Sequence, residues 1–149
     1  MKSIYQYLYE SINTSSHKHY TKFPKSKEEL KQMIEAEISK NGYQCSLNHI
    51  DVSKITDMSM LFMESSFDGD ISQWDVSSVE NMSYMFFHSI FNGDISGWDV
   101  SNVKDIGWMF YYSKFKGDIA SWNVASVNTM DNAFGRSPLE NNPPKWYKR

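Results

Sequence analysis

The sequence predicts an α/β solenoid of 24-residue coils, each with a short parallel strand and a short helix, closed at its N-terminus by a helical cap. Three observations predict this fold: tryptophans recur every 24 residues, the apolar spacing within each copy changes from strand-like to helix-like, and the first 42 residues do not follow the repeat. The 149 residues fit one ordinary domain. We therefore predict a cap over residues 1–42 and a solenoid over 43–149 that fold as one cooperative domain.

Two amphipathic helices are predicted in the N-terminal segment. In the longer one, Ser26 and Glu29 form a capping box, an apolar stripe runs from Leu30 to Ile38, and Asn41-Gly42 is a typical helix end. The shorter one is "SIYQYLYESI", followed by a polar linker. The longer helix is expected to cover the open end of the first coil.

The repeat is defined by bulky residues that return with a constant step. Four Trp and four Phe keep the spacing of 24: Trp74, Trp98, Trp122, Trp146, Phe62, Phe86, Phe110 and Phe134. The copies are 43–66, 67–90, 91–114, 115–138 and a truncated 139–149. One coil cannot bury its own apolar face, so stacked coils are expected to place Trp over Trp in a continuous core. Each buried indole N–H then needs one hydrogen-bond acceptor.

Within one copy, the apolar residues predict first a strand and then a helix. Ile71, Trp74, Val76 and Val79 follow the spacing that is typical of leucine-rich repeats. Residues two apart share one face of a strand, so strands are predicted near 50–52, 74–76, 98–100 and 122–124. From Val79 to Phe86 the apolar step becomes three to four, which is typical of a helix.

The repeat units, such as "GDISQWDVSSVENMSYMFF", resemble those of the BspA-like leucine-rich-repeat proteins of bacteria and their phages. The lead-in "FPKSKEELKQMIEAEI" and the ending "SPLENNPPKWYK" resemble the same family. This resemblance implies a leucine-rich-repeat-like solenoid and an interaction protein, and many relatives are surface adhesins. The N-terminus has no apolar signal core, so we expect a cytoplasmic location, or host cytoplasm or a virion for a phage-encoded chain.

Composition excludes several classes of function. Residues 43–138 carry five basic and twelve acidic residues, a net charge of −7 that repels phosphates and argues against a nucleic-acid partner. No apolar run approaches 18 residues, so we expect no membrane partner. The single Cys45 predicts a buried small apolar residue in a reducing compartment. No zinc spacing, phosphate-binding glycine loop or nucleophile elbow is present, so neither a cofactor nor an enzyme activity is expected.

Two rows of aspartates recur with the repeat: Asp51, Asp75 and Asp99, and Asp70, Asp94 and Asp118. A row of carboxylates could bind calcium. Alternatively, each Asp accepts backbone N–H bonds within its own turn, which is the interpretation we favour. An enzyme using Asp75 and Asp99 is a weaker alternative, because a catalytic site needs chemically different groups at one place.

These observations favour a non-catalytic protein–protein interaction module that binds a host or virion protein of unknown identity. The alternatives are an adhesin-type surface repeat protein, a structural spacer and an enzyme with an unrecognised acidic site. On the predicted helices, the outward positions are apolar, and they form the candidate partner-binding residues: Met60, Met63, Tyr84, Phe87, Trp108 and Tyr111. Sideways packing between adjacent helices is the other explanation for these residues, and self-association is a further use of the same surface.

Overall fold

One α-helix, α1 (Lys27–Asn41), precedes the repeats in the computed structural model, which describes residues 3–4 and 19–148. It begins where the Ser26 side chain accepts a hydrogen bond from the Glu29 N–H, and it ends at Gly42, whose φ is 85°. Both ends are therefore where the capping box and the Asn-Gly pair predicted them. Apart from residues 3–4, the shorter predicted helix lies outside the described residues.

Helix α1 packs on the first repeat unit. Leu30 and Ile34 are fully or almost fully buried in the core. At its start, the Lys27 Nζ donates hydrogen bonds to the Ser59 Oγ at 2.6 Å and to the Asp57 carboxylate at 3.2 Å. The helix thereby covers the apolar end of the first unit, as a cap requires.

The predicted fold class is wrong. In residues 19–148 the chain after α1 consists of turns and isolated parallel bridges, with none of the predicted short helices and none of the four predicted strands. The bridges join five residue pairs: Lys22–Ile50, Ser46–Asp70, Asp57–Asn81, Asn81–Asp105 and Asp105–Thr129. Because these bridges form no continuous sheet, the molecule is not a leucine-rich-repeat solenoid of strands and helices.

The segments predicted as helices are runs of successive turns, which we call the turn ladder (residues 57–65, 81–89, 105–113 and 129–137). In the second segment, the N–H groups of Met85, Phe87 and Ser89 each bond the carbonyl three residues earlier, at 3.1–3.2 Å. The alternate N–H groups bond the next unit instead: Tyr84 N–H donates to the Gly107 carbonyl at 3.0 Å and Phe86 N–H to that of Met109 at 2.9 Å. Half of the N–H groups thus point along the stack, which an α-helix does not allow.

The helical interpretation failed because a run of turns buries nearly the same residues as a helix. Val79, Met82, Met85 and Phe86 are all fully buried, at a step of three or one. Each turn bonds an N–H to the carbonyl three residues earlier, so apolar side chains three residues apart can both face the core, as they do on a helix. Side-chain periodicity alone does not distinguish the two backbones.

The predicted strands failed for a related reason. Trp74 and Val76 are buried and Asp75 between them is exposed, as alternation predicted. However, the Trp74 N–H bonds the Ile71 carbonyl at 3.2 Å and the Val79 N–H bonds the Val76 carbonyl at 2.9 Å. These N–H groups close local turns and are not available to a neighbouring strand.

The core is a stack of identical side chains from successive units. The rings of Trp74 and Trp98 are 6.4 Å apart and nearly parallel, and those of Phe62 and Phe86 are 5.6 Å apart. Each repeat Trp donates its indole N–H to a carbonyl 27 residues earlier, as Trp98 does to Ile71 at 3.1 Å. The units are therefore joined by both ring stacking and hydrogen bonds.

Cys45 is only partly buried, whereas the sequence analysis predicted a buried residue. It packs against the core, and its partial burial raises the pKa of the thiol. A raised pKa favours the neutral thiol over the thiolate.

Candidate protein-binding surface

The six candidate partner-binding residues lie on the outside of the turn ladder, and we call them the stripe (Met60, Met63, Tyr84, Phe87, Trp108 and Tyr111). Met60 and Met63 are 51% and 40% exposed, and the four aromatic residues are half-buried. The helical geometry that was used to place them outward does not exist. They share a surface because the ladder turns Met82, Met85 and Phe86 toward the core and the residues between them away from it. Binding through the stripe stays a prediction.

The aromatic rings of the stripe stack from one unit to the next. Tyr84 and Trp108 are 6.0 Å apart at an interplanar angle of 1°, and Phe87 and Tyr111 are 5.6 Å apart at 11°. Within a unit, Trp108 and Tyr111 are 4.7 Å apart and tilted by 54°. Each ring is therefore fixed by its neighbours while part of its surface remains open to solvent. Rigid aromatic surface of this kind loses little side-chain entropy when a partner covers it.

One column of the stripe has an unfavourable backbone conformation. Met60, Tyr84 and Trp108 have φ values of 61°, 57° and 58°, as does Asn132 at 50° in the last unit. These residues occupy the third position of a turn that requires positive φ, where Gly or Asn is preferred. For a bulky side chain this conformation costs roughly 1–2 kcal/mol. Aromatic residues thus occupy surface positions at which Asn would be less strained.

A third column beside the stripe was missed by the sequence analysis: Glu64, His88, Tyr112 and Arg136, all with φ between 53° and 57°. The His88 and Tyr112 rings are 4.9 Å apart, and the Arg136 guanidinium lies 6.0 Å from the Tyr112 ring centre. The same 24-residue step could have identified this column. It was overlooked because its side chains differ in chemical type from unit to unit.

The aspartates of both predicted rows bond within their own turns. Asp70 Oδ1 accepts the Ser72 N–H at 2.9 Å, and Asp99 Oδ1 accepts the Ser101 N–H at 3.0 Å. The backbone hydrogen bond from Ser72 holds the pKa of Asp70 below its usual value, and hydrogen bonds from the Ser101 side chain and backbone do the same for Asp99. This arrangement is the turn-capping one that we favoured over calcium binding.

A third capping row was missed. Asp57, Asn81 and Asp105 each accept the N–H two residues later, at 2.8–2.9 Å. Partial burial tends to raise the pKa of Asp57, but hydrogen bonds from Ser59 and Lys27 outweigh it and hold the pKa below its usual value. The second and third units therefore each have three corners closed by Asp or Asn, and the 24-residue step again carried the signal.

Residues 3–4 and 19–148 lack two features that other functions would use. No group of three or more His, Cys, Asp or Glu side chains there could hold a metal ion. No helix in the same residues is long and apolar enough to cross a membrane.

The structure defines a class of repeat protein in which 24-residue units stack through turns and aromatic rings. The chain belongs to the family described as "Mycoplasma protein of unknown function, DUF285", whose model matches residues 11–146. No curated protein and no solved structure matches the chain.

Proposed function

We propose that this protein is a non-catalytic protein–protein interaction module that binds its partner through the stripe. The observation that carries the proposal is the use of large apolar side chains at strained surface positions, Tyr84 and Trp108 above all. Gly or Asn would avoid a cost of about 1–2 kcal/mol at each of these sites. The strained residues of the stripe are large and apolar, unlike Glu64, His88 and Arg136 of the third column.

The composition of the stripe also supports a protein partner. Tyr, Trp, Phe and Met are enriched at the centres of protein interfaces, and contiguous exposed apolar surface is uncommon on proteins that act alone. The net charge of −7 over residues 43–138 argues against nucleic acid. Resemblance to BspA-like repeat proteins, many of which are adhesins, supports an interaction role and gives a host or virion protein as the expected partner.

The test is a double variant, Tyr84→Asn with Trp108→Asn. Asn is the appropriate replacement because the fourth unit already carries Asn132 at the equivalent position and at a similar φ. The matched control is Phe23→Ser with Tyr43→Ser, which removes two exposed aromatic rings outside the stripe. Melting temperature and circular dichroism establish that both variants fold.

Affinity capture from lysate of the source cell or its host, followed by mass spectrometry, then compares the three proteins. We expect a partner captured by the wild type and the control but lost with the stripe variant. Light scattering on the purified proteins detects the alternative, self-association through the same surface. If the folded stripe variant captures the same proteins in the same amounts as the wild type, the stripe is only a packing feature.

A further inference from the structure

The turn ladder ends at the C-terminus with a row of backbone N–H groups. In each earlier unit, alternate N–H groups donate to the next unit, as Ile106 does to Thr129 at 2.9 Å and Phe110 to Ala133 at 2.8 Å. The equivalent groups of the last unit are those of Met130, Asn132, Phe134 and Arg136, which we call the donor row. Within the described residues, no acceptor is found for any of these four N–H groups.

A cleft of about 610 Å³ opens beside the donor row. Its ladder side is formed by Trp108, Asp131, Asn132, Phe134 and Gly135, and its other side by Glu140, Tyr147 and Lys148. The tail residues are held in place because Tyr147 packs edge-on against Phe134 at 4.9 Å. Tail and ladder thus form a cleft in which donor-row residues Asn132 and Phe134 line one wall.

The cleft exists because the aromatic columns stop one unit short of the end. The column with Tyr84 and Trp108 continues with Asn132, and the column with Phe87 and Tyr111 continues with Gly135. A Cβ built on Gly135 would lie 2.8 Å from the Tyr111 ring, so this ring occupies the space next to the glycine. Asn132 leaves room for an aromatic side chain above Trp108, which lines the cleft.

The donor row presents only N–H groups, so its occupant must supply hydrogen-bond acceptors. Two C-terminal ends cannot pair through this row, because both present donors. Stacking a second copy end to end would require its first unit to be open, but α1 packs there and Lys27 bonds Asp57 and Ser59 at the start of its ladder. A flexible peptide segment has no such obstacle. Its carbonyls can accept hydrogen bonds from the donor row, as the carbonyls of the following unit do for the N–H groups of every earlier unit.

We propose that the C-terminal cleft binds a peptide segment of a partner protein that continues the turn ladder. Alternate carbonyls of the segment accept hydrogen bonds from the donor row, and one aromatic side chain of the segment occupies the cleft above Trp108. Among the stripe residues only Trp108 lines the cleft, and the donor row lies outside the stripe, so the peptide contact is tested separately from binding through the stripe.

The probe is a fluorescently labelled peptide with the sequence of residues 104–116, "KDIGWMFYYSKFK", which contains the ladder segment of the third unit. Fluorescence anisotropy compares it with a scrambled peptide on three full-length proteins: the wild type, Asn132→Trp and Glu64→Trp. Asn132→Trp fills the cleft with the residue that the third unit carries at that position. Glu64→Trp is the matched control, since it introduces the same side chain at an exposed position with a φ of 56°, in the first unit and outside the stripe.

We expect the wild type and Glu64→Trp to bind the probe equally, and Asn132→Trp to bind it at least 10-fold more weakly. Equal binding to all three proteins, or no binding above the scrambled peptide, would overturn the proposal. Amide hydrogen exchange of the wild type provides a second measurement that needs no variant. Bound peptide should slow exchange at the donor row, and protection confined to other amides would also overturn the proposal.

Discussion

Replacing Trp98 with alanine should lower the free energy of unfolding by about 4 kcal/mol. Trp98 is 4% exposed, stacks on Trp74 at 6.4 Å and donates its indole N–H to the Ile71 carbonyl. A buried Trp removes roughly 200 Å² from water, worth about 5 kcal/mol at 25 cal/mol per Å², of which alanine retains a small part. The result lies within the range of about 3–5 kcal/mol for large aromatic truncations in cores.

Two further variants separate the contributions of the ring and of the hydrogen bond. Trp98→Phe keeps a stacking ring but loses the indole N–H, so it should cost about 1–2 kcal/mol. Trp146→Ala should cost less than Trp98→Ala, because Trp146 lies in the truncated last copy and is only partly buried.

The assay is urea unfolding monitored by circular dichroism. With a slope of about 2 kcal/mol per M, a loss of about 4 kcal/mol lowers the unfolding midpoint by about 2 M. Equal losses for Trp98→Ala and Trp146→Ala would show that the last Trp is a full core member. A loss below about 1 kcal/mol for Trp98→Ala would refute the stacked core.

Three other predictions test the turns. Gly69→Ala should lower the free energy of unfolding by at least about 2 kcal/mol, because a Cβ at this position overlaps the Cys45 carbonyl oxygen. A Cβ on Gly97 would have no atom within 4 Å, so Gly97→Ala should leave the melting temperature unchanged or raise it slightly. Millimolar calcium should leave the melting temperature unchanged, and a rise of several degrees with calcium but not magnesium would indicate that the Asp rows bind it. The pKa values of Asp70 and Asp94 are lowered on folding, so their stabilising effect is present above about pH 3.8 and lost as pH falls through the folded values. A pH titration of the melting temperature should show this loss, and Asp70→Asn should reduce its slope.

The sequence predicted the positions of the core residues but not the backbone that holds them. The 24-residue step identified the stacked Trp and Phe rings, because equivalent side chains in identical units must lie over one another. Helix α1 was predicted because Ser26 and Glu29 act locally. The turn ladder was not predicted, because the spacing of apolar residues does not depend on the direction of the backbone N–H groups.

The candidate surface was predicted from a helical geometry that the structure does not have. Its residues still lie on one surface because they alternate with the core positions of the turn ladder. What the sequence did not indicate was the positive φ at Tyr84 and Trp108, because such a turn ordinarily selects Gly or Asn. The donor row was also hidden, since it depends on which way the last backbone N–H groups point. Both features belong to the backbone and became visible only in three dimensions.

The indole hydrogen bond to a residue 27 positions earlier has a consequence for how this chain can change in length. Because each unit is completed by a carbonyl of the unit before it, a single unit cannot satisfy its own Trp. Removing a whole repeat, such as residues 91–114, would bring two matching faces together and preserve every type of contact. Removing half a repeat would not. Gene duplication or loss can therefore lengthen or shorten the stack only in steps of 24 residues. Each step lengthens or shortens the outer surface by one unit, so it changes the size of the partner that this surface can contact.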